Sequence, residues 1–213
     1  MEKGLQDLRS RKNPKARIKI LKGHFATPNG HINTYIDMST VKCRHNNARE
    51  TARVLAEHYM ATLLVDTIVC LDGTEVIGTF MAENLAENSQ LSVNGGKNIS
   101  IITPELNPAG QMIFRDNTQR MIKDQQVLIL AGSITTGKTM IKAVESVLYY
   151  GGTVCGVTAI FSAISKVAGL EIFSIFESGD LPDYRSYESY ECPMCKAQEK
   201  IEAIVNSYGY SKL

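Results

Sequence analysis

Neither sign of charge dominates this sequence: 23 Lys and Arg face 22 Asp and Glu, for a formal net charge of +1. That balance removes the electrostatic argument for a nucleic acid or an anionic membrane as partner, since both are bound through an excess of cations. A long hydrophobic run is also missing. The most apolar stretch, 153–170, is interrupted by Ser162, Ser165 and Lys166, so it reads as a core strand with its exit and not as a membrane span. The opening MEKGLQDLRSRKNPKARIKI carries charge but no apolar centre, which argues against a secretory signal and for a cytoplasmic protein. Internal repeats, low-complexity tracts, a G-x-S-x-G elbow and a Ser/His/Asp set are likewise absent.

The 213 residues suffice for one α/β domain with a small accessory element, and the 44% apolar and 21% charged fractions are those of an ordinary globular chain. Of the five cysteines, Cys70 and Cys155 lie inside apolar runs and are expected to be buried, reduced thiols. Cys43 stands apart. Cys192 and Cys195 form a C-x-x-C in YECPMCKAQ, yet a closed zinc site needs four ligands, and no second C-x-x-C or H-x-x-x-H exists. His24, His31, His45 and His58 show no ligand spacing either. No metal site is therefore expected; Cys192 and Cys195 qualify only if a distant Cys or a second subunit completes the set. The simpler expectation is a reduced turn that ties down the carboxyl-terminal tail.

Element signals alternate along the chain. Pro28-Asn29-Gly30 separates two segments rich in Phe, Thr, Ile and Tyr, which predicts a hairpin. Ala48, Ala52, Leu55, Ala56 and Tyr59 repeat at helical spacing, predicting a helix over 46–59. TIVCLDGTE is a short buried strand ending in Asp72-Gly73-Thr74, followed by a helix over 76–87. NISIITP is a strand stopped by Pro104, 104–118 is a polar excursion, QQVLILAG is a strand, and a helix runs from 137 to 150. Gly151-Gly152 ends that helix before the strand TVCGVTAIFS. Such an order predicts a parallel sheet flanked by helices, with ligands gathered at the carboxyl ends of strands.

Two loops fall there. Gly132–Thr139, GSITTGKT, satisfies the P-loop pattern G-x-x-x-x-G-K-[ST]. A helix start offers unpaired N–H groups and a favourable dipole to an anion. Thr135, Thr136 and Thr139 add hydroxyls, Lys138 adds charge, and Gly137 is expected to let the backbone approach a phosphate unobstructed. The plainer alternative is that Thr135-Thr136 caps the helix and Gly137 only makes the turn. A triphosphatase further needs a carboxylate on another strand for Mg²⁺, and beyond the strand ending at Ser162 only Glu177 and Asp180 are at hand. A P-loop NTPase is thus the remote reading.

The sequence resembles the type I phosphoribosyltransferases, on four segments spanning roughly 15–196. VLILAGSITTGKTMIKAVESVLYYGG is similar to their ribose-phosphate signature, GHFATPNGHINTYIDMSTV to the amino-terminal hood of orotate phosphoribosyltransferases, TIVCLDGTEVIGTFMAENLA to their pyrophosphate-loop segment, and ECPMCKA to the CPLC ending of some orotate enzymes. The resemblance implies a hood over 1–45, a phosphoribosyltransferase-like core over 46–180 and a tail over 181–213. It implies phosphoribosyl diphosphate or a nucleoside monophosphate as ligand, a nucleobase as acceptor, Mg²⁺ as cofactor, and a homodimer. Thr135, Thr136, Gly137, Lys138 and Thr139 would hold the 5′-phosphate, and Asp72, Gly73, Thr74 and Glu75 would follow the pyrophosphate. His24 and His31 would sit in the hood, as hydrogen-bonded structural groups or facing a base. Tyr184, Tyr187, Tyr190, Tyr208 and Tyr210 would pack between subunits or cover a sheet edge.

Three departures qualify that picture. The family's acidic pair, which binds the ribose hydroxyls, falls on Ala131 and Gly132. The mobile loop that carries Lys and His in orotate enzymes corresponds to 103–120, whose cations are Arg115 and Arg120. Phe161-Ser162 stands where orotate enzymes place an acid and an Arg that meets the substrate carboxylate, so orotate is not the expected substrate. These departures open a second reading, a catalytically silent nucleotide-binding or regulatory protein.

Overall fold

The computed structural model describes residues 4–87, 90–108, 110–181 and 183–213. In chain order the elements are β1 (Gln6–Arg9), β2 (Arg17–Thr27), β3 (Gly30–Asp37), α1 (Ser39–Cys43), α2 (His45–Tyr59), β4 (Thr67–Cys70), α3 (Glu75–Ala86), β5 (Ser100–Ile102) and β6 (Glu105–Leu106). They continue with β7 (Met112–Ile113), α4 (Asp116–Gln119), β8 (Gln126–Ile134), α5 (Lys138–Tyr149), β9 (Thr153–Ser162), β10 (Lys166–Val167) and β11 (Leu170–Glu177). The tail adds β12 (Ser186–Tyr187), α6 (Pro193–Lys196), β13 (Ala203–Asn206) and β14 (Gly209–Lys212).

The core sheet runs β10-β11-β9-β8-β4-β5, parallel throughout except for the antiparallel edge strand β10. Its centre is the expected VLIL strand, which continues to Ile134. Val127 through Leu130 are all fully buried because both faces of β8 are covered. The period-2 geometry of the strand divides them: Leu128 and Leu130 join the layer of α2 and α3, whereas Val127, Ile129 and Ala131 join that of α5. The predicted apolar stripe of α2 meets Ile77, Met81 and Leu85 of α3, and the Tyr59 hydroxyl donates to the Val157 carbonyl at 3.1 Å. Burial pushes the Tyr59 phenol up to about 12. Cys70 is buried and Cys155 half-buried, and burial pushes both thiols up to about 12.

The polar excursion over 104–118 is less irregular than expected. Apart from Ala109, which lies outside the described residues, it holds the antiparallel pair β6–β7, with Leu106 opposite Met112, and opens α4. A second sheet, β12-β3-β2-β13-β14 with β1 beside β2, forms the hood. It draws on both ends of the chain: β13 runs parallel to β2, pairing Ala203 with Phe25, and β12 pairs with β3. Tyr184 and Tyr210 are thereby packed on Phe161 and Tyr35, with ring centroids 5.2 and 5.6 Å apart, while Tyr190 and Tyr208 remain exposed. Among the described residues no helix is long and apolar enough to cross a membrane.

Candidate functional site

β8 ends at Ile134, residues 135–137 turn, and α5 begins at Lys138 with Gly137 as its N-cap. No side chain caps this helix, so the alternative in which Thr135-Thr136 closes the turn is not what forms. First-turn amides of α5 are left to other partners, as an anion site requires. Thr135, Thr136, Gly137, Lys138 and Thr139 all line a cavity of about 430 Å³ between the core and the hood. The role expected of Gly137 needs correction. A Cβ there would meet Ile164 Cδ1 at 3.0 Å and Val167 Cγ2 at 3.3 Å. Glycine is required by its φ of +79° and by packing against β10, not by room for a phosphate. Lys138 is engaged at its far end, where Nζ lies 2.6 Å from Glu188 Oε1; that hydrogen bond raises the lysine's pKa.

Opposite this loop stands Asp72, whose backbone is left-handed at φ +60°. Its Oδ2 accepts the Gly132 N–H at 3.2 Å, and a Cβ on Gly132 would lie 3.1 Å from Asp72 Cβ. Asp72 therefore fills the space into which an acid at position 132 would project. Burial holds its carboxyl above the usual range, opposed by the backbone N–H of Ser133 and the charge of Lys42. The neighbouring residues do different work. Thr74 is buried with its hydroxyl on the Leu71 carbonyl at 2.8 Å, Glu75 Oε1 accepts from Thr103 Oγ1 at 2.9 Å, and Gly73 turns the chain at φ +73°. None of these three lines the cavity; Leu71 and Asp72 do.

Arg115 and Arg120 do not line it either. Arg115 forms a two-pronged ion pair with Glu105, Nε and Nη2 each 2.7 Å from a carboxylate oxygen, which braces the β6–β7 hairpin. The cations that face the cavity are Lys42, Lys138 and Lys142. Lys42 carried no sequence signal. It is buried in α1, and its Nζ donates to the Asp72 carbonyl at 2.8 Å and to the Ser207 carbonyl in the β13–β14 turn. Burial lowers its pKa, and the nearby Asp72 opposes that shift. Ile32, Tyr35, Phe161 and Tyr184 also line the cavity.

The histidines of the hood do not face this cavity. His24 and His31 turn instead to Cys192 and Cys195, one ligand-capable atom from each lying within 4.8 Å of the others. The expectation that the C-x-x-C lacked histidine partners is thus overturned: the partners come from β2 and β3, more than 160 positions away in the chain. His58 stacks on Phe173 at 3.8 Å, and His45 begins α2 at the surface.

Of the carboxylates a triphosphatase would need, Glu177 pairs with Lys12 at 2.6 Å and Asp180 with Arg11 at 3.2 Å, and neither lines the cavity. The same accounting applies to Mg²⁺, a hard cation that takes oxygen ligands. Among the described residues Asp72 is the one carboxylate lining the cavity, and its Oδ2 accepts the Gly132 amide. These residues do not build a Mg²⁺ site.

No sequence-family profile and no curated protein matches the chain. Solved structures do. Orotate phosphoribosyltransferase of Mycobacterium tuberculosis H37Rv, in complex with 5-phospho-α-D-ribosyl 1-diphosphate, superposes with a TM-score of 0.51 at 19% identity, covering 69% of this chain and 82% of that one. A phosphoribosyltransferase from Corynebacterium diphtheriae gives 0.53 at 18% identity, over 76% and 90%. Adenine phosphoribosyltransferase from Thermoanaerobacter pseudethanolicus gives 0.50 at 14%, over 83% and 96%. The chain has the type I phosphoribosyltransferase core fold, a helix-flanked parallel sheet under a mixed hood sheet.

Proposed function

We propose that the protein binds a ribose 5′-phosphate, as phosphoribosyl diphosphate or a nucleoside monophosphate, and transfers the phosphoribosyl group to a nucleobase. The observation that carries this reading is the uncapped start of α5, where residues 135–139 line a cavity that Ile32, Tyr35, Phe161 and Tyr184 also line. The phosphate would take the first-turn amides and the hydroxyls of Thr135, Thr136 and Thr139. A planar base would lie between Ile32, Tyr35, Phe161 and Tyr184. That wall offers no guanidinium for a substrate carboxylate, which supports an uncharged base over orotate. In the reaction a ring nitrogen of the base bonds to ribose C1 while the bond from C1 to the pyrophosphate oxygen breaks. The bonding electrons leave with pyrophosphate, which takes up the proton released from the base. Asp72, which lines the cavity beside Gly132, would face positive charge developing on the sugar. The cytoplasm and a homodimeric assembly belong to the same proposal.

A second reading, nucleotide binding without turnover, is favoured by Ala131, which lines the cavity with a methyl group that can accept no ribose hydrogen bond. Calorimetric titration with phosphoribosyl diphosphate, nucleoside monophosphates and ATP, followed by pyrophosphate release with a panel of bases, separates the two. Binding with release supports transfer; monophosphate binding without release supports the silent protein. Thr135→Val with Thr136→Val should weaken either ligand by tenfold or more, on the order of one hydrogen bond to a charged group. An unchanged affinity removes the phosphate from this loop.

A further inference from the structure

We propose that His24, His31, Cys192 and Cys195 form a tetrahedral Zn²⁺ site that fastens the carboxyl-terminal tail to the hood sheet. The inference does not rest on the phosphate reading, and its tests read metal content and thermal stability directly.

Distances are the first support. His24 Nε2 lies 3.0 Å from His31 Nδ1, 3.5 Å from Cys192 Sγ and 3.6 Å from Cys195 Sγ; Cys195 Sγ lies 3.2 Å from His31 Nδ1. With Zn–N near 2.0–2.1 Å and Zn–S near 2.3 Å, the edges of a tetrahedron are about 3.3 Å between nitrogens and about 3.6 Å between nitrogen and sulfur. These four distances lie within about 0.4 Å of those edges, and all four atoms lie within 4.8 Å of one another.

Hydrogen-bond accounting is the second. His24 Nδ1 is 3.0 Å from the Glu199 carbonyl, a group that only accepts, so Nδ1 carries the proton and Nε2 presents a lone pair. That lone pair faces His31 Nδ1 and both cysteine sulfurs, four donor atoms turned to one centre. A cation at their centre satisfies all of them. The carbonyl behind His24 is also the kind of outer partner that orients a metal-binding imidazole.

Burial and chemistry choose the ion. His24, His31 and Cys192 are 2%, 8% and 0% exposed, while Cys195 lies at the surface and leaves a way in. Two imidazoles and two thiolates suit a borderline-soft tetrahedral cation and offer no oxygen to Mg²⁺ or Ca²⁺. The fold explains how a site with no sequence spacing arises. His31 pairs directly with Ala26, and His24 lies two residues from Ala26 on β2, so the imidazoles share one sheet face as diagonal neighbours. Cys192 is the N-cap of α6 with Pro193 at its start, and Cys195 lies within that helix. Downstream, Glu202 N donates to the His24 carbonyl at 2.9 Å, and β13 enters the hood sheet. The metal thereby sits just before the hairpin whose turn receives Lys42 and whose residues Val205, Asn206 and Ser207 line the cavity.

The 213-residue protein purified without a metal-affinity step should carry one zinc per chain by elemental analysis. Exchange with Co²⁺ should give tetrahedral d–d bands together with a thiolate charge-transfer band. Chelation should lower the melting temperature and speed proteolysis within the tail. Cys195→Ala, at the surface, tests the site without threatening the fold: loss of one of four ligands should weaken Zn²⁺ by on the order of a hundredfold. The proposal is overturned if folded wild-type protein takes up less than a tenth of an equivalent from added zinc. It is overturned equally if Cys195→Ala keeps wild-type affinity and the wild-type cobalt spectrum.

Discussion

Replacing Gly132 with aspartate would restore one of the carboxylates that phosphoribosyltransferases carry at the end of this strand, and here it should do harm. The new Cβ would lie 3.1 Å from Asp72 Cβ and 3.6 Å from Asp72 Oδ2, so two carboxylates would compete for one buried space. At about 4 Å and an effective dielectric near 20, two unit charges repel by about 4 kcal/mol. The escape is to protonate one of them, which against an ordinary pKa of about 3.9 costs about 4 kcal/mol at pH 7 but only about 1.5 kcal/mol at pH 5. Gly132→Asp should therefore lose up to about 4 kcal/mol at pH 7, a fall in Tm of about 8–16 °C for a chain of this size, and most of the deficit should vanish at pH 5. The exchanged variant, Gly132→Asp with Asp72→Gly, keeps a single carboxylate and removes the left-handed aspartate. It should recover most of the loss at both pH values. Differential scanning fluorimetry on wild type, single and double variants is sufficient. Wild-type stability of the single variant at pH 7, or a double variant no better than the single, would refute the claim that Asp72 occupies that space.

Gly137→Ala places a Cβ at φ +79°, a cost of about 1–2 kcal/mol for a left-handed L-residue, and 3.0 Å from Ile164 Cδ1. Urea unfolding should show the loss, Ile164→Val should return part of it, and an unchanged midpoint would mean that the turn is built differently. The pH dependence of Asp72 has a definite sign. Burial raises its folded pKa above 3.8, so the native protein keeps this proton longer than the unfolded chain. Its contribution to stability is full below pH 3.8 and is lost as pH rises through the folded value. Asp72→Asn should remove that decline from the curve of unfolding free energy against pH above 3.8; an unaltered slope would place the titration elsewhere.

The core was legible because its signals are local. The apolar run Val127–Leu130, the stripe of α2 and the break at Gly151-Gly152 each depend on neighbours in the sequence, and β8, α2 and α5 form within two residues of their expected bounds, whereas β10 and β11 carried no expectation. The strand-to-helix loop at 135–139 was legible for the same reason. What stayed hidden was assembled across the chain. Lys42 has no pattern of its own and gains its importance from two carbonyls, on Asp72 and Ser207. His24 and His31 look unpaired until the hairpin sets them on one face and the tail brings the cysteines to them. Arg115, the expected loop cation, is claimed by Glu105 through a hairpin of only two residues per strand. The tail carries a signal of its own. Ala203 and Val205 alternate with exposed neighbours ahead of a turn at Asn206–Gly209, as an amphipathic hairpin should.

The seam between β13 and β2 brings together positions as far apart as His24 and Glu202, 178 residues along the chain. Closing so long a loop costs little more than closing one half its length, because the entropy grows only logarithmically, so the seam need not be weak. It must, however, be late. Local helices and the β8–β9 pairing form on short searches, whereas distant parallel strands meet slowly. A refolding molecule would therefore regain most of its secondary structure while still lacking one side of its ligand chamber.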